Sequence, residues 1–169
     1  DDRVDIPGNP QCRPRSVLTV ALYVNISRPF GNTVSGSAGG GRMVLVAQPG
    51  AAGGFAWGLY KSERNSLVCE VTGPSGSTSM ETADGFLVPG KWYHLGLVFH
   101  RPDVSLFANG ELVGQALHDE DLVPAAEPGL VFGSGPDRAP AEAWNGFMAG
   151  VLDDVRVYGV AFAPADFAT

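Results

Sequence analysis

Cysteine, histidine and basic residues are all scarce in this chain: two, three and 11 of 169 residues. Cys12 and Cys69 stand 57 positions apart. No CxxC motif or His/Cys cluster accompanies them, which excludes a zinc-site spacing. Either they pair as a disulfide, worth about 4 kcal/mol for a loop of that length in the chain-entropy model, or both are free thiols. Eighteen acidic residues against 11 basic ones give a net charge of −7. No Lys/Arg cluster offsets it, which argues against nucleic acid or an anionic membrane as partner. The longest apolar runs, such as Met43–Ala47 and Leu95–Phe99, fall far short of the roughly 20 residues that span a bilayer, so no membrane insertion is expected. No signal peptide is visible. The chain opens at Asp1 on what reads as a strand already under way. Residues 1–169 are therefore expected to be one domain excised from a larger protein, and the missing signal carries no information on compartment.

Helix-length periodic segments are missing as well. In their place stand 23 glycines and 13 prolines, a density that would damage helices but suits short strands between turns. Leu18, Val20, Leu22 and Val24 alternate with Thr19, Ala21, Tyr23 and Asn25, a period of two. Further strands are predicted at Met43–Gln48, Phe55–Lys61, Leu67–Thr72, Lys91–His100, Val104–Ala108, Glu111–Ala116, Gly129–Gly133 and Gly150–Tyr158. Asn109-Gly110 is a strong type I′ hairpin signal. Only Ala163–Phe167 reads as helical, a single turn with Pro164 near its start. Short strands that each bury one face, in one domain of this length, imply an all-β sandwich of two antiparallel sheets.

Several segments, in order, resemble the laminin G-like and pentraxin-like modules of the concanavalin A-like superfamily. Asp1–Pro7 is similar to their opening and Leu18–Val24 to their next strand, with Tyr23 where a Trp is usual. Lys91-Trp92-Tyr93-His94-Leu95 resembles their W-x-H strand, and Val104–Val113 their Asn-Gly hairpin. Phe147–Tyr158 resembles their closing D-D-V-R-x-Y strand, and Phe162–Phe167 the short turn after it. The resemblance implies a jelly-roll sandwich that binds glycans or proteins outside cells or at their surface, often around a calcium ion.

Related jelly rolls include glycoside hydrolases, which set two carboxylates on one strand face as E-x-D-x-E. Here Glu120 and Asp121 are adjacent and face opposite ways, while Glu81 and Asp84 have turn spacing. No G-x-S-x-G elbow is present. No enzymatic activity is expected. Strict alternation along Gly150–Tyr158 would put Asp153 on a face with Val151, Val155 and Val157. A carboxylate buried there needs backbone amides or a cation. Calcium held by Asp153 and Asp2, with Asp5 or loop carbonyls, is one reading, and amide capping is the other. His94 shares a strand face with Trp92 and Gly96 and reads as a core or rim residue rather than a catalyst. Trp57, Phe55 and Trp92 read as core. Trp144 either closes the sandwich edge or, with Asn145, Asp137 and Arg138 of the same loop, gives a sugar a stacking plate and hydroxyl partners.

The expected function is a non-catalytic glycan-binding module, with calcium as the candidate cofactor. A protein-docking or adhesion module, or an accessory domain of a carbohydrate-active enzyme, is the alternative. A glycan site calls for an exposed Trp among polar groups. A docking site calls for a wider apolar patch.

Overall fold

The computed structural model describes residues 4–9, 13–27, 42–51, 54–126, 129–133 and 148–167. Among the described residues the regular structure consists of eleven strands and one 3-10 turn: β1 Val4–Ile6, β2 Val17–Ile26, β3 Arg42–Pro49, β4 Phe55–Ser62, β5 Leu67–Thr72, β6 Ser77–Glu81, β7 Trp92–His100, β8 Asp103–Ala108, β9 Glu111–Leu117, β10 Leu130–Phe132, β11 Gly150–Tyr158, and the turn Pro164–Phe167. They form a six-stranded sheet, β1-β10-β3-β4-β5-β6, and a five-stranded sheet, β11-β2-β7-β8-β9. Every strand pairing in them is antiparallel. The two sheets stack as a jelly-roll sandwich, and non-consecutive neighbours such as β2 and β7 mark the crossovers.

Alternation explains the core. Leu18, Leu22 and Val24 of β2, Leu95, Leu97 and Phe99 of β7, and Leu59 and Cys69 of the facing sheet are buried in one continuous cluster. At about 25 cal/mol per Å², a fully buried side chain of this kind contributes roughly 1.5–3 kcal/mol. Trp57 is wholly buried, as expected, and its indole N–H donates to Gln48 Oε1 at 2.9 Å. Cys69 is a free thiol in this core, and burial pushes its pKa up. Cys12 lies outside the described residues. A second apolar cluster, with Val44, Tyr60 and Val68, occupies the other face of the six-stranded sheet. Strand β4 is therefore buried on both sides.

The Asn109-Gly110 turn has the expected geometry: φ is 52° at Asn109 and 81° at Gly110, and Ala108 pairs with Glu111 across it. Strand β6 was not foreseen. Its sequence Ser-Thr-Ser-Met-Glu carries little apolar signal because it is an edge strand with alternate residues exposed.

Strand β11 departs from strict alternation. Asp153 pairs with Tyr23 but Arg156 pairs with Ala21, so two residues, Asp154 and Val155, oppose Leu22 alone. This β-bulge holds Asp154 at φ 47°, a left-handed conformation that Asp tolerates better than most residues. The extra residue switches the buried parity. Leu152, Val155 and Val157 pack on the core, while Val151, Asp153 and Asp154 are exposed. The expectation of a buried Asp153 is thus corrected, and the need for a neutralising cation at that residue goes with it.

Candidate functional site

Residues directly opposite in antiparallel strands share a face. The outer face of the five-stranded sheet can therefore be read row by row. The first row holds Val151, Asn25 and Trp92, and the second holds Asp153, Tyr23 and His94. The third holds Arg156, Ala21, Gly96 and Phe107, and the fourth begins with Tyr158, Thr19 and Val98.

The C-terminal segment covers the lower rows. Thr19 Oγ1 donates to the Val160 carbonyl at 2.6 Å and accepts from the Phe162 amide at 3.0 Å. The Phe167 ring stacks on Phe107 with centroids 4.9 Å apart. It also occupies the space above Gly96, where an added Cβ would meet Phe167 Cε1 at 2.3 Å. Ala21, Val98, Phe107 and Phe167 so form a small core of their own on this outer face.

The first two rows stay open. Trp92 is 50% exposed and Val151 53%. Trp92 was expected in the core. Its neighbours Tyr93, Leu95, Leu97 and Phe99 point inward, and the pleat turns Trp92 and His94 outward. Asn25 stands between Val151 and Trp92 and donates from Nδ2 to the Gly90 carbonyl at 3.2 Å. Tyr23 and His94 stack with centroids 4.5 Å apart, and His94 also leans on Phe167 at 5.9 Å. The His94 backbone amide donates to Asn109 Oδ1 at 2.9 Å, while its Nδ1 is buried with no hydrogen bond. His94 is accordingly a held rim residue. Beside these rings lie the carboxylates of the β11 bulge. Asp153 Oδ1 accepts from the Asp154 amide at 2.8 Å, and Asp154 Oδ1 accepts from Arg156 Nε at 2.7 Å.

This arrangement offers an exposed aromatic plate with an amide and a carboxylate within the adjacent rows. It does not offer a metal cage: among the described residues no three His, Cys, Asp or Glu side chains converge. Asp153 is exposed and Asp154 is ion-paired with Arg156. By themselves they supply few of the six to eight oxygens that a calcium ion wants. Asp2 lies outside the described residues, as do Trp144, Asn145, Asp137 and Arg138. The acids Glu120, Asp121, Glu81 and Asp84 are held separately. Glu120 accepts from the Ser75 amide at 3.0 Å, and hydrogen bonds from the Ser75 side chain and amide together lower its pKa. Asp121 pairs with Arg101 at 3.1 Å, and Glu81 and Asp84 both pair with Arg64.

A second concavity lies where the sheet edges meet. It is a cleft of about 740 Å³ lined by residues of β1, β10, β2 and β11, with Arg13 and Arg15 along it. The sequence reading missed it, because nothing local brings β1 beside β11.

Fold and surface together define a lectin-like jelly-roll sandwich. The chain belongs to the concanavalin A-like lectin/glucanases superfamily, whose laminin G-type family model matches residues 1–168. Among solved structures, it is similar to the binding domain of Paraclostridial Mosquitocidal Protein 1, with a TM-score of 0.68 and 13% identity over 98% of this chain and 39% of that one. It is similar to the ligand binding domain of botulinum neurotoxin serotype D, solved with N-acetylneuraminic acid, with a TM-score of 0.69 and 12% identity over 98% of this chain and 38% of that one. A SAP-like pentraxin from Limulus polyphemus gives a TM-score of 0.62 and 14% identity over 99% of this chain and 80% of that one. The chain thus spans about two fifths of the length of the toxin domains it matches. No curated protein gives a significant sequence match. At these identities the likeness establishes the shared fold.

Proposed function

We propose that this chain is a non-catalytic glycan-binding module acting outside the cell or at its surface, and that the open rows of the five-stranded sheet are its sugar-binding face. The observation that carries this reading is Trp92, half-exposed on a sheet face with Asn25 beside it and Tyr23, His94 and Asp153 in the next row. A pyranose ring has an apolar face that stacks on an indole and hydroxyls that seek amides and carboxylates at its edge. The serotype D domain solved with N-acetylneuraminic acid supports the ligand class by analogy of fold. A protein-docking module is the second reading, favoured by Val151 and Val88, exposed by 53% and 44%.

A glycan array, followed by calorimetry on the best oligosaccharide, tests the proposal. Trp92→Ala should weaken binding about 5- to 30-fold, the loss of a stacking contact worth about 1–2 kcal/mol. Asn25→Ala should weaken it by a smaller factor. Binding that is unchanged in Trp92→Ala would place the sugar elsewhere, and an array with no hits would favour docking.

A further inference from the structure

We infer that the cleft between the sheet edges is a second binding site, one that selects the carboxylate or sulfate group of an anionic saccharide through Arg13 and Arg15. The charge pattern points there first. The protein is acidic, with a net charge of −7. Its other described arginines are all neutralised: Arg42 by Glu70, Arg64 by Glu81 and Asp84, Arg101 by Asp119 and Asp121, and Arg156 by Asp154. Among the described residues, Arg13 and Arg15 alone of the arginines make no ion pair, and both line the cleft. An unpaired guanidinium presents its full fork of donors to a planar oxyanion.

The segment that carries them is tied down. The Leu122 amide donates to the Arg15 carbonyl at 2.8 Å, and the Arg101 amide donates to the Ser16 carbonyl at 3.0 Å. Pro14 between the two arginines restricts the chain further. The cleft lining adds apolar surface from Ile6, Leu130 and Tyr158. Such a mixture suits a ring with one hydrophobic face and a charged substituent. The adjoining depression of about 650 Å³ shares Ser16, Val17 and Gly159 with the cleft. It contains Arg101 together with its partner Asp121. The unpaired positive charge therefore belongs to the larger cleft and not to the depression beside it.

This site is distinct from the Trp92 face. Val17 and Asn25 stand at opposite ends of β2, separated by roughly 26 Å at 3.3 Å per residue. The choice of a saccharide as the carrier rests on the glycan reading above, whereas the selection for negative charge rests on the arginines alone.

Calorimetric titrations at low salt with three probes test it: a hyaluronan octasaccharide carrying carboxylates, a heparin octasaccharide carrying sulfates as well, and a neutral chitooligosaccharide. One or both anionic probes should bind at least about tenfold tighter than the neutral one to Trp92→Ala protein, and the binding should weaken as salt rises. The Arg13→Gln/Arg15→Gln double variant, which alters exposed side chains, should lose that preference about tenfold while keeping its melting temperature. The carboxylate and sulfate arms separate the two sources of charge. Equal binding of anionic and neutral probes would overturn the proposal, as would an anionic preference that survives the double variant. Anionic binding that persists in Trp92→Ala while no neutral glycan binds the unaltered protein would uphold the cleft and defeat the Trp92 face.

Discussion

At the scale of single residues, Asp153 shows how a local rule fails. Alternation alone buried it among valines, but the bulge at Asp154 puts both carboxylates outside. Asp153→Ala should therefore shift stability by no more than about 0.5 kcal/mol. Calcium titrations of the parent and the variant, read by melting temperature, should coincide. A calcium-dependent difference between them would restore Asp153 as a ligand. Lys61 makes a different case. It is 1% exposed, and its Nζ donates to the Ser62 carbonyl at 3.1 Å. Burial pulls its pKa from 10.5 down to about 8, with Glu63 opposing the shift. Between these values the unfolded chain binds the proton that the folded chain has released. This residue therefore makes stability climb as pH rises from about 8 to 10.5, and the climb ends above the unfolded value. Denaturant midpoints at both pH values should show that climb in the parent and a smaller one in Lys61→Met.

At the scale of elements, the strongest turn signal in the sequence corresponds to the observed hairpin. Gly110 sits at φ 81°, where a β-branched residue is strained. Gly110→Val should cost about 1 kcal/mol or more, measured as a loss in denaturant midpoint. The C-terminal turn is held less obviously. Gly96 leaves room for Phe167, and Thr19 ties the preceding segment to the sheet. Gly96→Ala should cost about 1–3 kcal/mol, because its new methyl meets the Phe167 ring. Protease cleavage near residue 162 should accelerate with it, and an unchanged cleavage rate would show that the turn repacks without strain. The polar edge strand β6 escaped the sequence reading because the apolar pattern reports burial, and an edge strand buries little.

At the scale of the whole molecule, the two proposed sites lie at opposite ends of β2. Distant sites without shared partners behave independently. The Trp92→Ala and Arg13→Gln/Arg15→Gln changes should therefore have additive effects on the binding of a mixed neutral and anionic panel, within about 0.5 kcal/mol.

The sequence by itself determined the strands other than the polar edge strand β6, the hairpin, the all-β class and the identity of most core residues. These follow from period-two alternation and turn chemistry, which are local. The outward direction of Trp92 was also latent there, since the face of Tyr93, Leu95, Leu97 and Phe99 leaves Trp92 and His94 on the other side. Only the tertiary structure decided that this other face is open at Trp92 and closed at Gly96, because the closing residue, Phe167, lies 71 positions away in the chain. The cleft is non-local in the same way. It exists because β1 and β10 close one sheet beside β11, the edge of the other, and bring two unpaired arginines to that seam. Spacing along a chain specifies which face a side chain takes, whereas its exposure depends on whatever distant segment packs against that face.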